Sequence, residues 1–201
     1  MVGQIEQPEH ITTQWFKDDG DLIVLLGDIL DAHDPLLGLG GSAYLQHVHH
    51  RKTGTPPRCD LAREKITQDT LLELIRAGLV KSAHDCSEGG LAVALAESCI
   101  SQPIARNTPR LIGAHVELPL SPATRRDALL FGETQGRIVL TVTPTNATKV
   151  LDLAQAAGVS ATHLGAVGGE DLEIRLGEGK LTWGLAELHE AWWNSIVRKM
   201  R

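Results

Sequence analysis

Short apolar runs bounded by glycine or charged residues recur along the chain and alternate with segments whose apolar residues return every three or four positions. The runs are typical of buried strands, and the segments are typical of helices that bury one face. The clearest strand follows Asp21 and ends at Gly27. Further strands are predicted over residues 79–85, 111–118, 136–142, 163–167 and 172–176, the last two joined by a hairpin-type turn at Gly168 and Gly169.

The helical segments lie between these strands. Helices are predicted over residues 42–50, from about 61 to Gly78, from Gly90 onward, and over 122–130 (with a proline at its start), 146–157 and 185–200. In the second helix the spacing predicts one apolar face made of Ala62, Ile66, Leu72, Ile75 and Leu79. Trp192 and Trp193 are interpreted as core or interface anchors. The alternation predicts an α/β or α+β domain with helices packed on a mixed sheet.

Composition narrows the possible functions. The chain has 201 residues, enough for one domain or at most two small ones, and its 19 basic and 25 acidic residues give a net charge of −6. That charge argues against nucleic acid or an anionic membrane as the main partner. Three cysteines without C-x-x-C spacing favour a reducing compartment, the cytoplasm. The longest apolar stretches are far shorter than the roughly 20 residues that span a bilayer.

The segment SAHDCSEGGL, residues 82–91, holds the most informative local chemistry. Asp85 ends a predicted strand, and Gly89 and Gly90 open a helix, so backbone N–H groups at the helix start could bind a phosphate while Asp85 holds Mg²⁺. Ser87 lies between them as a further polar ligand. In the alternative interpretation, Asp85 or Ser87 caps the helix and the glycines allow close packing.

Two further glycine-rich loops are candidate binding segments. Residues 38–42 offer Gly40, Gly41 and Ser42 before a helix, but match neither a P-loop nor a dinucleotide fingerprint. Residues 132–137 place Glu133, Thr134 and Gln135 between glycines before a strand. Such side chains could bind a polar ligand, or form a surface turn with a capping glutamate.

A cysteine nucleophile is a third possibility. His84 and Cys86 would share one face of a strand, which leaves open a thiol activated by an imidazole.

Taken together, the blocks LGLGGSAYL (37–45), AHDCSEGGLAVALAE (83–97), LFGETQGR (130–137) and GAVGG (165–169) resemble one family. That family is phosphoribosylformylglycinamidine synthase, the synthetase subunit of purine biosynthesis. The lead-in HITTQWF, residues 10–16, is similar too. The resemblance covers essentially the whole chain in the family's order, but only the C-terminal end of the enzyme.

The resemblance implies a fold and a domain organisation. The expected fold is the three-layer, partly ferredoxin-like C-terminal domain of the aminoimidazole ribonucleotide synthetase superfamily, from the second of two fused halves. Residues 1–20 would be a lead-in from a missing N-terminal ATP-binding domain, and residues 21–201 a single C-terminal α/β domain.

The resemblance also implies a reaction. The family converts formylglycinamide ribonucleotide, ATP and glutamine-derived ammonia to the amidine, with ATP and Mg²⁺ as cofactors. The residues that could contact substrate or phosphate are Gly40, Gly41, Ser42, Asp85, Ser87, Gly89, Gly90, Glu133, Thr134 and Gln135, with Asp85 as the metal ligand. Catalytic residues would lie in the missing domains, so we expect no turnover by this chain alone.

The implied partners are those missing domains, a glutaminase subunit and a small accessory subunit, and the chain by itself could form a homodimer.

Two alternatives to the purine-enzyme interpretation stay open. The chain could come from a related selenophosphate synthetase, thiamine-monophosphate kinase or hydrogenase-maturation protein, or the domain could be a non-catalytic docking half. The block LFGETQGR favours the purine enzyme over the first alternative.

Overall fold

The structure is a computed structural model that describes residues 5, 7–105, 108–120 and 124–200. Within these residues the chain forms nine strands, seven α-helices and one short 3-10 helix (Pro8–His10). The strands are β1 (Leu22–Leu26), β2 (Ser82–Asp85), β3 (Gln102–Ala105), β4 (Thr108–Arg110), β5 (Ala114–Leu118), β6 (Ile138–Val142), β7 (Ala161–Val167), β8 (Asp171–Leu176) and β9 (Gly179–Gly184). The helices are α1 (Ala43–His49), α2 (Leu61–Arg76), α3 (Gly90–Ile100), α4 (Arg126–Phe131), α5 (Ala147–Ala156), α6 (Leu185–Trp193) and α7 (Ser195–Lys199).

Seven strands form one mixed sheet in the order β2-β6-β1-β7-β5-β8-β9. Neighbouring strands are antiparallel except β5 and β8, which are parallel. Strands β3 and β4 form a separate ribbon. The sheet is therefore mixed, as the sequence predicts.

Strand β1, in the interior of the sheet, is buried on both faces. Ile23 and Leu25 belong to one apolar cluster, which includes α3 and α4, whereas Val24 and Leu26 belong to a second cluster, which includes α2 and α5. Because successive side chains of a strand point to opposite faces, helices cover this part of the sheet on both sides. The expected three-layer fold is confirmed.

The predicted hairpin between residues 163–167 and 172–176 is wrong. Strand β5 lies between β7 and β8 and pairs with both. The linker crosses the start of β5, where Gly113 N donates to Gly169 O at 2.9 Å and Gly168 N to Gly113 O at 2.8 Å. The hairpin at this end of the sheet joins β8 to β9, a strand that the apolar pattern did not indicate.

Three helix predictions also need correction. In α2 the buried residues are Thr67, Thr70 and Leu74, whereas Ile66 and Leu72 of the predicted face are each 45% exposed. Two threonines lie on the inner face beside Leu74, so a pattern of aliphatic residues alone gave the wrong phase. The last predicted helix is divided at Asn194 into α6 and α7. The helix predicted over residues 122–130 begins at Arg126, and Pro122 lies outside the described residues.

Part of the lead-in packs against the domain. Phe16 is fully buried in the cluster that contains α3, and its backbone N–H donates to Ser98 O at 2.9 Å. Thr13 forms a parallel bridge with Ser82 beside the outer strand β2. Among the described residues, no helix is both long enough and apolar enough to cross a membrane.

Phe16→Ala should lower the free energy of unfolding by about 3–5 kcal/mol, because it removes a fully buried aromatic ring and leaves a cavity. Urea unfolding followed by circular dichroism measures the change. Ile11→Ala, in the same segment but 56% exposed, is the control and should change stability by less than about 0.5 kcal/mol. If Phe16→Ala changed the free energy of unfolding as little as Ile11→Ala does, the lead-in would not be part of the cooperative fold.

Candidate functional site

The three glycine-rich segments meet at one edge of the sheet. Strands β1 and β2 end at this edge and β6 begins there, since both Leu26 and Asp85 pair with Ile138. The segments 86–90 and 132–137 are therefore neighbours, and segment 38–42 joins them through the hydrogen bond from Glu133 N to Gly38 O at 2.8 Å. The sequence alone did not predict that these three segments meet.

The carboxylate of Glu133 joins two of these segments to its own loop. Its Oε1 accepts a hydrogen bond from Gly89 N at 2.9 Å and another from Ala43 N at 2.8 Å. Gly89 precedes α3 and Ala43 is the first residue of α1, so one negative charge lies at the starts of two helices. Backbone N–H groups at a helix start lack partners within the helix and favour a negative charge. The interpretation of Glu133 as a capping glutamate is confirmed, for two helices rather than one.

Ser42 also has a capping role. Its Oγ accepts from Leu45 N at 3.3 Å and donates to Leu39 O at 2.7 Å, and the side chain is almost fully buried. Both functions of the hydroxyl are thus used within the chain.

Close backbone contacts explain two of the glycines. A Cβ on Gly40 would lie 1.9 Å from Thr55 O, and one on Gly90 would lie 2.5 Å from Gly132 O, in a backbone with φ of +65°. Neither position has room for a side chain. Both glycines therefore permit close contact between loops; at Gly90 this is what the packing alternative proposed.

The place where segments 38–42, 86–90 and 132–137 meet is called the junction, and Arg137 is part of it. Arg137 was not among the predicted site residues. Its buried guanidinium donates to the carbonyl oxygens of Ile29, Thr134 and Gly132, which belong to two different loops. Burial lowers the pKa of this side chain from its usual value. Its place at the end of the Phe-Gly-Glu-Thr-Gln-Gly-Arg block was the sequence signal that could have identified it.

Asp85 and Ser87 lie beside the junction. Ser87 Oγ donates to Asp85 Oδ2, and this hydrogen bond lowers the pKa of the Asp85 carboxyl. The side chain of Asp85 is 72% exposed. Neither residue caps α3, which begins after Gly89 without a side-chain cap, so the capping part of that alternative is wrong.

The predicted ligand residues thus divide into two groups. Gly89 N donates to Glu133 and Gly90 N donates to Ser87 O at 3.0 Å, so these two amides are engaged within the chain. Four more of the predicted residues belong to the loops that form the junction: Gly40, Gly41 and Ser42 in one, and Thr134 in another. Of the predicted residues that could bind through a side chain, Asp85, Ser87 and Gln135 are exposed. They border one open groove together with Glu64, Glu88 and Glu133.

The donor set does not form a complete metal site. Within the described part of the chain, no group of three or more His, Cys, Asp or Glu side chains is placed to hold a metal ion. Mg²⁺ usually needs one or two carboxylates together with water and phosphate oxygens. Asp85 could supply one such carboxylate, and its role as metal ligand stays a prediction.

Cys86 does not have the environment of a nucleophile. It is buried in the apolar cluster, and burial raises the pKa of its thiol to about 11. The His84 ring instead faces Glu97, with Nε2 2.8 Å from Oε2, and Trp192 Nε1 donates to the other oxygen of Glu97 at 3.2 Å. The Cys86 thiol is therefore protonated, and the His84 ring is bonded to Glu97 instead. Both observations argue against Cys86 as a nucleophile activated by His84.

The fold described above, a mixed sheet covered by helices with glycine-rich loops at one edge, places the chain in a class of α/β domains for which a family model exists. The family model described as AIR synthase related protein, C-terminal domain, matches residues 18–177, and the chain belongs to this family.

The curated relatives are longer than this chain. The phosphoribosylformylglycinamidine synthase subunit PurL of Anaeromyxobacter sp. (strain K) is 44% identical over 203 residues, which cover 100% of this chain and 25% of the relative. The chain therefore spans about a quarter of the length of the curated relatives it matches.

Solved structures of the Thermotoga maritima PurL share the fold. The complex with FGAR matches with a TM-score of 0.73 and 20% identity, covering 90% of this chain and 30% of that one. The complex with ATP matches with a TM-score of 0.65 and 19% identity, covering 90% and 28%. The structure of PurLQS matches with a TM-score of 0.66 and 17% identity, covering 91% and 28%.

Two substitutions of Glu133 should lower the free energy of unfolding by different amounts. Glu133→Gln keeps an acceptor but loses the charge, so the decrease should be about 1–2 kcal/mol. Glu133→Ala leaves two amides without their acceptor, so the decrease should be about 2–4 kcal/mol. Urea unfolding measures both. Glu88→Gln removes an exposed charge from the neighbouring turn and is the matched control; a loss as large as that of Glu133→Gln would contradict the bridging role.

The three thiols should differ in reactivity, since Cys59 is exposed whereas Cys86 and Cys99 are buried with raised pKa values. At pH 8 the native protein should react with Ellman's reagent at one thiol, and unfolded protein at three. Cys59→Ser should abolish the native reaction and Cys86→Ser should leave it unchanged. Rapid reaction of native Cys59→Ser protein would restore the case for an activated Cys86.

Proposed function

We propose that this chain supplies the C-terminal α/β domain of a phosphoribosylformylglycinamidine synthase in purine biosynthesis. The observation that carries the proposal is the 44% identity to a PurL subunit over the entire chain. In this proposal residues 1–20 lead in from an ATP-binding domain and residues 21–201 form the C-terminal domain of the second half.

The whole enzyme would join ammonia from glutamine to formylglycinamide ribonucleotide and release the amidine. Bound ATP would supply the phosphoryl group that activates the amide oxygen for displacement. The ATP and FGAR complexes of the Thermotoga maritima protein support this choice of ligands. Such a reaction depends mainly on holding the reactants in position and stabilising charge.

The role of this domain within the enzyme would be support rather than catalysis. The side chains of Glu133, Ser42 and Arg137 form hydrogen bonds with the chain's own backbone. Side chains engaged in this way hold the loops in place, as expected for a supporting domain. Asp85, Ser87 and Gln135 remain the candidates for contact with substrate or phosphate. The groove beside them also carries Glu64 and Glu88, so a phosphate would need a cation such as Mg²⁺ to offset the negative charge.

The proposal includes partners and a compartment. The PurLQS structure supports assembly with further subunits, which we assign as a glutaminase and a small accessory subunit. The cysteines are unbridged, which supports a reducing cytoplasm.

A chimera tests the proposal. The matched quarter of the Anaeromyxobacter PurL subunit would be replaced by this chain and assayed for ATP-dependent amidine formation with ammonia. We expect kcat/KM within about tenfold of the parent, a change of about 1.4 kcal/mol or less in transition-state stabilisation. The parent lacking this quarter is the control and should be inactive, and a folded chimera without activity would overturn the proposal.

Asp85→Ala in the active chimera separates support from direct contact. A purely supporting domain predicts unchanged KM values for both FGAR and ATP. A raised KM for either ligand would instead assign Asp85 to a binding site.

A further inference from the structure

An apolar stripe runs along α6 and α7, outside the candidate site. Its residues follow one another at steps of three and four positions, with Val197 beside them: Ala186, His189, Trp193, Ile196 and Met200. The largest members face solvent, since Trp193 is 51%, Ile196 70% and Met200 81% exposed. Large apolar side chains that adjoin on a helix surface mark a contact with another protein. These six residues are called the C-terminal stripe.

The C-terminal stripe is continuous although the two helices are divided at Asn194. Backbone hydrogen bonds of α-helical spacing cross the division, from Asn194 N to Glu190 O at 3.2 Å and from Arg198 N to Asn194 O at 2.9 Å. The rings of His189 and Trp193 stack with their centroids 5.9 Å apart. Helices α6 and α7 therefore present one face about 22 Å long, at the rise of an α-helix.

A different side of α6 fixes this face to the domain. Leu185 is buried in the cluster that contains α3, and Leu188 packs against the same cluster. Trp192 Nε1 donates to Glu97 Oε1 at 3.2 Å. Because these contacts anchor α6, the C-terminal stripe keeps its orientation and stays directed away from the apolar core.

The charges along the two helices favour a second copy of this chain as the occupant. Glu187 and Glu190 lie before Trp193, the middle of the stripe, whereas Arg198 and Lys199 lie after it. An antiparallel pair with its two-fold axis at Trp193 would place each acidic half beside the basic half of the other copy. Among the described residues, neither Glu187 nor Lys199 forms an ion pair, so both charges are available for this contact.

We propose that the C-terminal stripe binds the same stripe of a second copy of this chain, as an antiparallel helix pair centred on Trp193. The pairing covers the exposed parts of Trp193, Ile196 and Met200 in both copies. Two helices of this length form an interface near the small end of specific interfaces, about 1,200 Å² in total. The dimer should therefore be weak, with a dissociation constant of about 1–100 μM.

Sedimentation velocity of the chain between about 1 and 200 μM tests the proposal, and the monomer should give way to a dimer over this range. Ile196→Glu places a charge inside the stripe and should raise the dissociation constant at least about tenfold. Leu61→Glu is the matched control because Leu61, at the start of α2, is 79% exposed. This control should leave the dissociation constant unchanged.

Circular dichroism shows whether each variant is folded. A wild-type chain that stays monomeric over the whole range would overturn the proposal. An unchanged dissociation constant in folded Ile196→Glu protein would overturn it too, because the contact would then lie elsewhere on the surface.

Cysteine cross-linking tests the antiparallel arrangement, in a Cys59→Ser background that lacks the exposed native thiol. Trp193→Cys lies at the two-fold axis and should form a disulfide-linked dimer under mild oxidation. Met200→Cys should link at least about tenfold more slowly, because antiparallel pairing separates its two copies by roughly 20 Å, far beyond disulfide reach. If Trp193→Cys did not link faster than Met200→Cys, the antiparallel pair would be overturned.

Discussion

The hydrogen bonds from Gly89 and Ala43 to the Glu133 carboxylate hold together the loops on which the candidate site depends. Glycine at the start of α3 has no side chain with which to cap that helix. A carboxylate from a loop far along the chain therefore satisfies an amide that would otherwise require water or a ligand. This constraint brings the starts of α1 and α3 and the segment before β6 into one rigid unit.

Arg137 contributes the complementary charge to the same unit. Its guanidinium is buried and bonded to carbonyl oxygens of two loops, so water is not needed to satisfy either partner. Most polar groups of the junction bind one another, although the buried Thr134 Oγ1 has no hydrogen-bond partner among the described residues. The groove beside the junction has only a few free side chains. A domain built in this way can present a surface to neighbouring domains with little loss of conformational entropy.

Local patterns predicted the elements whose environment is simple. The apolar run 22–26 forms a strand buried on both faces, and the glycine pair 89–90 opens a helix, as expected. Errors arose where distant parts of the chain determine the pairing or the phase. Strand β5 separates β7 from β8, and the threonines of α2 replace the expected aliphatic face. Neither outcome depends on nearby residues alone.

The sequence by itself determined the class of fold and the positions of the glycine-rich loops, because residue spacing and glycine content are local properties. The family followed from the resemblance of whole motif blocks. Only the tertiary structure decided which polar groups are available. Glu133 was predicted to bind a ligand or to cap a turn, and it caps two helices that lie 90 and 44 residues away along the chain. The physical reason is that a carboxylate binds whichever donors folding brings within about 3 Å of it.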